Sequence, residues 1–161
     1  MSEITYLIGD ATEPQALGPK IIAHICNDIG AWGKGFVMAV SKRWPGPEQA
    51  YREWHHGTDP NDFELGAVQL VQVAPDLWVA NMIGQHGIRR SKGVPPIRYD
   101  AVECCLGHLA KEALTLSASV HIPRIGCGLA GGSWDRIEPI ITRQLCQKGV
   151  AVYVYDFRTA G

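Results

Sequence analysis

Two glycine-rich segments contain most of the residues of this 161-residue chain that could do chemistry. Residues 123–134 read Pro-Arg-Ile-Gly-Cys-Gly-Leu-Ala-Gly-Gly-Ser-Trp and follow an apolar run. Glycines let backbone N–H groups surround an anion, and the N-terminus of a following helix adds a partial positive charge. A tight turn is the alternative, but four glycines within seven residues exceed what one turn needs. The segment therefore predicts a phosphate-binding loop.

A second segment, residues 27–36, reads Asn-Asp-Ile-Gly-Ala-Trp-Gly-Lys-Gly-Phe and also follows an apolar run. It is not a P-loop, because Gly35 stands where Ser or Thr should follow Lys34. In open α/β sheets, ligands bind beyond the carboxyl ends of the strands. Two such segments are therefore expected to hold the two sides of one diphosphate, and a nucleotide derivative is the expected ligand.

The elements that position these segments alternate between short apolar runs and longer amphipathic stretches, which indicates an α/β fold. Strands are predicted at Ile4–Ile8, Ile21–Ile25, Ala67–Val73, Leu77–Met82, Ser119–Ile122 and Val150–Tyr155. Helices are predicted at Phe36–Arg43, Pro47–His56, Tyr99–Leu116 and Ser133–Gln147. The polar stretch 87–96 is predicted to be a mobile surface loop.

Composition limits the class of partner. With 15 basic and 16 acidic residues the formal net charge is −1, so no electrostatic drive toward duplex nucleic acid or a membrane is expected. The five cysteines show no C-x-x-C spacing, which argues against a disulfide framework and a sulfur-rich metal site. We expect a single domain over residues 1–161, monomeric and cytoplasmic, with no metal and no cofactor.

The quoted segments together resemble the macrodomain family, whose members bind ADP-ribose and its derivatives. The resemblance rests on Gly-Asp-Ala-Thr at 9–12, on the run from His24 through Gly35, and on residues 123–129, and it covers nearly the whole chain. Within the family the chain is similar to the branch of yeast ADP-ribose-phosphate phosphatase and terminal ADP-ribose protein glycohydrolase. The resemblance implies a three-layer α/β/α sandwich around a mixed, mostly parallel six-stranded sheet.

The same resemblance implies which residues contact the ligand. It assigns the Asp10 carboxylate to the adenine amino group and the Ala11 N–H to the adenine ring, although an Asp after a strand is also a common turn residue. Tyr155 or Phe157 is expected to stack on adenine, or else to be plain core. The diphosphate and distal ribose are expected to lie among Trp32, Gly33, Lys34, Gly35, Phe36, Gly126, Cys127, Gly128, Leu129, Ala130 and Gly131.

Four residues are candidates for catalysis: Asn27, Asp28, His24 and Gln85. In the glycohydrolase relative a lysine attacks the anomeric carbon and an aspartate assists, but Gln85 and Ala130 stand at the matching positions. A covalent route is therefore expected to be absent, and Asn27, Asp28 or the ligand's own phosphate would orient water instead. His24 matches a histidine implicated in the phosphatase, and a buried core imidazole is an equal alternative.

Three functions follow from the resemblance. The favoured one is removal of mono-ADP-ribose from acidic side chains of modified proteins, since a departing carboxylate of pKa about 4.3 needs little help from a general acid. The second is a phosphatase acting on ADP-ribose 1''-phosphate. The third is a non-catalytic reader of ADP-ribose or of mono-ADP-ribosylated proteins.

Overall fold

The computed structural model describes residues 3–57 and 61–157, in which a six-stranded sheet has helices on both faces. The strands are β1 (Thr5–Ile8), β2 (Lys20–Asn27), β3 (Val68–Ala74), β4 (Leu77–Gln85), β5 (Ser119–Ile122) and β6 (Val152–Asp156). The helices are α1 (Phe36–Arg43), α2 (Gly46–His56), α3 (Tyr99–Leu116) and α4 (Trp134–Gln144), and a 3₁₀ turn follows at Cys146–Lys148.

The sheet has the strand order β1-β6-β5-β2-β4-β3. Only β3 runs antiparallel to its neighbour among these strands, so the sheet is mixed and mostly parallel, and the predicted fold class is confirmed. The two glycine segments follow β2 and β5, which are paired neighbours running in the same direction. Both segments therefore leave the sheet at the same edge.

The core has two halves because β2 and β4 are apolar on both faces. Ile21 and Ala23 of β2 pack on the side of α3 and α4, whereas Ile22 and Cys26 pack on the side of α1 and α2. Successive side chains of a strand point to opposite faces, so one unbroken apolar run supplies both halves. Strand β2 is thereby fixed in the middle of the sandwich, between β5 and β4.

The element boundaries differ from the predictions by one to three residues at eleven of the twenty predicted ends. Strand β4 continues to Gln85, three residues beyond the predicted end, because it stays paired with β2 as far as Asn27. Helix α4 ends at Gln144, three residues before the predicted end, and a 3₁₀ turn at Cys146–Lys148 follows Leu145. Strand β6 begins at Val152 rather than at residue 150. Within the described ranges, no helix is long and apolar enough to cross a membrane.

Candidate functional site

The two glycine segments form opposite walls of one cavity of about 400 Å³. We name residues 28–35 the β2 loop and residues 123–133 the β5 loop. Lys34, Gly35 and the adjoining Phe36 line the cavity from one side, and Gly126 and Leu129 are among the residues of the β5 loop that line it from the other. The prediction that these segments lie together at one edge of the sheet is confirmed.

A second cavity of about 320 Å³ adjoins the first toward β4. Asn27, Gly33, Ile88 and Arg89 line it. The two cavities share the lining residues Ile25, Lys34, Val37, Gln85 and Leu129. We therefore treat them as one cleft, which runs along the carboxyl edge of the sheet from Phe157 after β6 to Arg89 after β4.

The lining of this cleft carries only positive formal charge. Lys34, Arg89 and Arg124 are in its walls, and no aspartate or glutamate lines it in the part of the chain that the structure describes. Arg124 is itself paired with Asp156 through bonds of 2.7 and 3.0 Å, which raise the pKa of the guanidinium and lower that of the carboxyl group. A cleft with this lining favours an anion.

The β5 loop depends on glycine at its closing bond. The Gly132 N–H donates to the Gly126 carbonyl (2.7 Å), and Gly126 adopts a φ of 73°. A Cβ at residue 132 would lie 2.4 Å from that carbonyl oxygen, closer than any side chain can approach. Glycine at 132 is therefore required for the loop to close, and the closed loop presents its backbone to the cavity.

The β2 loop is held by the buried side chain of Asn27. Its Oδ1 accepts bonds from the N–H groups of Ile29 and Ala31 (both 3.0 Å) and from the Tyr51 hydroxyl (2.8 Å), and its Nδ2 donates to the Ala31 carbonyl (2.7 Å). Asn27 is one of three groups expected to orient water, beside Asp28 and the ligand's own phosphate. In the structure, the Asn27 side chain instead makes its hydrogen bonds to Ile29, Ala31 and Tyr51, and so it holds the shape of the β2 loop.

Asp28 joins the β2 loop to the chain that follows β4. Its carboxylate accepts a bond from the Gly87 N–H (2.8 Å) and contacts His86 Nδ1 (2.6 Å). Asp28 does not line either cavity, so its carboxylate holds residues 86 and 87 against the β2 loop and does not face a water molecule in the cleft. Gln85 lines both cavities, and its Nε2 donates to the Gly87 carbonyl (3.0 Å).

His24 has the environment of a core imidazole. It is 1% exposed, and its Nε2 lies 2.6 Å from Asn81 Oδ1. The Asn81 amide nitrogen donates to Gln69 and to the Pro47 carbonyl, so the Asn81 oxygen faces His24 and Nε2 carries the proton. Burial lowers the pKa of His24 to about 4 despite this bond. The imidazole is neutral near pH 7, and its side chain lies at the floor of the first cavity.

Asp10 and Ala11 lie after β1, beyond the lining of the two cavities. Asp10 Oδ1 accepts bonds from the N–H and hydroxyl groups of Thr12 (2.8 and 2.7 Å), and Arg43 lies 3.6 Å from the other oxygen. Burial alone would raise the pKa of Asp10, but the Thr12 bonds and the Arg43 charge outweigh it and lower the pKa. Asp10 is therefore an ionised, partly exposed acceptor, and Ala11 is buried.

Two aromatic candidates belong to the core instead. Tyr155 is 3% exposed, and its hydroxyl is bonded to His121 Nδ1 (2.7 Å) and to the Gln15 N–H (2.8 Å), so it does not stack on a ligand in the cleft. Trp32 is 5% exposed and donates to the Ser41 hydroxyl (2.7 Å) beneath the β2 loop. Phe157 is 64% exposed and lines the first cavity. Of the two aromatics expected to stack on adenine, Phe157 is therefore the one that faces the cleft.

The remaining predicted residues divide in the same way. Gly128 and Ala130 line the first cavity, whereas Cys127 and Gly131 line neither. Sequence reasoning missed Arg124 and Arg89 as residues of the cleft. Arg124 stands inside a motif already recognised, so its charge was an available signal. The 87–96 stretch that carries Arg89 was interpreted only as a surface loop.

Solved structures identify the family. A macrodomain protein from Streptomyces coelicolor is 59% identical to the chain, with a TM-score of 0.85 over 96% of this chain and 99% of that chain. The chain belongs to the macrodomain family. A Bacteroides thetaiotaomicron protein of unknown function is similar to this macrodomain at 59% identity and a TM-score of 0.93, covering 96% of this chain and 98% of that one.

More distant relatives carry names that mention ADP-ribose. An ADP-ribose 1''-phosphate phosphatase of Meyerozyma guilliermondii is 24% identical over 96% of this macrodomain and 99% of that protein. Thermosipho africanus DarTG, solved in complex with ADP-ribose, is 17% identical with a TM-score of 0.76, covering 98% of this chain and 42% of that one, and shows the fold alone. No protein-family model matches the chain.

The first curated relatives are much longer than this macrodomain. The chromodomain-helicase-DNA-binding protein 1-like of Danio rerio is 32% identical over 96% of this chain, and the mouse protein of the same name is 32% identical over 97%. The chain spans 16% and 18% of their lengths, respectively.

Proposed function

We propose that this macrodomain binds ADP-ribose in the cleft and hydrolyses mono-ADP-ribose from acidic side chains of modified proteins. The observation that carries the proposal is the pairing of two glycine loops across one cleft, whose lining among the residues described by the structure has cations and no carboxylate. A diphosphate is the part of ADP-ribose that such a pair of loops suits. The relative named for ADP-ribose 1''-phosphate supports the same ligand class.

The positions of Phe157 and of the second cavity suggest how ADP-ribose is oriented in the cleft. Phe157 follows β6 and offers an exposed ring for a base, and Asp10 lies after the adjacent strand β1. From β6 to β4 the cleft crosses three strand spacings, about 14 Å. Adenine at Phe157 and the diphosphate between the loops leave the distal ribose near Gln85, where the second cavity begins.

The chemistry of the cleft favours an ester substrate. Hydrolysis adds water oxygen to the anomeric carbon, breaks its bond to the side-chain oxygen and releases one proton to solvent. The described lining holds no carboxylic acid, and His24 is neutral with its proton directed to Asn81. Without a general acid the leaving group must itself be a weak base, which a glutamate or aspartate carboxylate is. Gln85 and the ligand's phosphates are the groups proposed to hold the water.

Two alternative functions have observations of their own. The bonds of Asn27 and Asp28 occupy side chains that a hydrolase could use, which favours a reader that binds without reaction. The Meyerozyma relative favours a phosphatase. If His24 served that reaction, H24A would abolish release of phosphate from ADP-ribose 1''-phosphate and leave binding of ADP-ribose intact.

The proposal is tested by titrating the protein with ADP-ribose in a calorimeter and then incubating it with a protein that carries glutamate-linked mono-ADP-ribose. We expect one binding site per chain and release of free ADP-ribose. A parallel incubation with ADP-ribose 1''-phosphate measures release of phosphate. Binding of ADP-ribose with no release from either substrate would establish the reader, and absence of binding would overturn all three functions.

A further inference from the structure

Residues 86–97 form a hairpin, here called the basic hairpin, that leads away from the second cavity. Ser91 and Val94 exchange two backbone hydrogen bonds of 3.0 and 2.9 Å. Lys92 and Gly93 between them have φ values of 53° and 80°. Two successive left-handed residues are typical of a type I′ turn, which matches the twist of a hairpin. The stretch is therefore a defined projection beside the cleft rather than an irregular loop.

The basic hairpin concentrates positive charge on a chain whose net charge is −1. It carries Arg89, Arg90 and Lys92, all exposed, and no acidic residue. None of the three takes part in a salt bridge with the residues that the structure describes. Arg89 also lines the second cavity, so this charge begins at the rim of the cleft. An uncompensated cluster of this kind attracts anionic segments.

In the orientation proposed for ADP-ribose, the protein chain of the substrate lies next to the basic hairpin. With the distal ribose near Gln85, the modified side chain leaves the anomeric carbon through the second cavity, between Lys34 and Arg89. Residues that flank the modified side chain would then leave the cleft on the side of the basic hairpin. Arg89 lines the second cavity, whereas Arg90 and Lys92 line neither cavity and are left for the polypeptide.

We propose that the basic hairpin is a docking surface for acidic protein segments, so that the preferred substrate carries its ADP-ribose on a carboxylate flanked by further acidic residues. This inference rests on the proposed function. A nucleic acid would also offer negative charge, but a nucleobase nitrogen is a poor leaving group without an acid, and the described lining of the cleft provides none. The absence of a general acid therefore favours the protein substrate.

The test compares peptides that carry ADP-ribosyl-glutamate among acidic, neutral or basic neighbours, using both dissociation constants and kcat/KM. At about 0.05 M salt we expect the acidic peptide to bind about fivefold more tightly than the neutral one. The difference in affinity should vanish at about 0.5 M salt, because salt at that concentration screens the attraction between exposed charges.

The variant pair R90Q/K92N removes two charges from the hairpin, and asparagine tolerates the left-handed conformation at position 92. It should abolish the preference for the acidic peptide while the affinity for free ADP-ribose stays within twofold. The matched control K111Q/K148Q removes the same charge from exposed sites elsewhere on the chain and should keep the preference.

The outcomes separate this inference from the proposed function. Equal affinity of the wild-type protein for all three peptides, with ADP-ribose still bound, overturns the docking surface alone. Loss of the preference in K111Q/K148Q as well overturns it too, since net charge would then be the cause. Tighter binding of an ADP-ribosylated oligonucleotide than of the acidic peptide overturns it in favour of nucleic acid. Absence of any binding to ADP-ribose overturns both proposals.

Discussion

Replacing Asn27 with alanine tests whether this residue shapes the β2 loop or acts on water. The substitution removes one acceptor that serves three donors, namely the N–H groups of Ile29 and Ala31 and the Tyr51 hydroxyl. It also removes the bond from Asn27 Nδ2 to the Ala31 carbonyl. A residue that only orients water would leave the stability of the protein unchanged, whereas a loop brace would not.

The magnitude follows from the exposure of the groups left behind. A typical intramolecular hydrogen bond contributes about 1 kcal/mol, and a buried donor left alone costs about 1–3 kcal/mol. Ile29 is 48% exposed, so its N–H is the easiest to rehydrate, and the Tyr51 hydroxyl keeps its bond to the Asn27 carbonyl (2.6 Å). We therefore expect N27A to lower the free energy of unfolding by about 2–4 kcal/mol. For a chain of this size, that corresponds to a Tm lower by about 6–12 °C.

The assay is urea and thermal unfolding of N27A beside Y51F, with calorimetric titration of ADP-ribose on both. Y51F removes one of the three donors and keeps the Asn27 side chain, so it should lose less stability than N27A and retain the ligand. N27A should bind ADP-ribose more weakly because the loop loses its shape. Unfolding of N27A at the wild-type midpoint, with normal binding and no hydrolysis, would refute the brace and restore the catalytic role.

Three further predictions concern the rest of the site. G132A should unfold at a lower temperature than the wild type, because its Cβ would lie 2.4 Å from the Gly126 carbonyl oxygen. The control G128A should melt like the wild type, because nothing lies within 4 Å of its new Cβ. Equal melting temperatures of the two variants would contradict the role of Gly132 in closing the loop. D10A should weaken ADP-ribose binding about tenfold, because the ligand loses a charged hydrogen-bond acceptor. The control is E13A, which also removes a carboxylate from Arg43. Equal affinities of D10A and E13A for ADP-ribose would exclude Asp10 from the ligand site. Burial lowers the pKa of His24 and of His121 to about 4, so the unfolded chain binds more protons between pH 6.5 and 4. Stability should be constant above about pH 6.5 and fall as the pH drops toward 4, less steeply in H24Q, and a flat profile in denaturant titrations would contradict the buried neutral imidazoles.

Local sequence pattern was sufficient for most of the fold. Helices α1 and α3 and strand β5 have the predicted bounds, because their apolar periodicity and their flanking residues agree. The extension of β4 to Gln85 could not be predicted, since Gly84 and the polar Gln85 interrupt the apolar run and Gln85 is held in the strand by pairing with Asn27 of β2. The end of α4 also escaped prediction, because nothing in the residues from Gln144 to Gln147 marks the change to a 3₁₀ turn.

For the site, the sequence predicted the backbone better than the side chains. The glycine spacing of the two loops is visible in the local sequence, whereas the pairing of β2 with β5 that brings the loops together is seen in the structure. The roles of Tyr155 and Asp28 depend on His121 and His86, which are far away along the chain, and that of Trp32 on Ser41 in the next helix; a single sequence does not reveal these contacts. Phe157 and Arg124 line the cleft because the strands that precede them, β6 and β5, are paired in the sheet, and this pairing is also not visible in the local sequence.

A structure of the protein bound to ADP-ribose tests the central claim most directly. The account predicts both phosphate groups within hydrogen-bond distance of backbone N–H groups from the β2 loop and from the β5 loop, with the base against Phe157 and the distal ribose at Gln85. Phosphates held by a single loop, or a ligand bound away from the cleft, would contradict it.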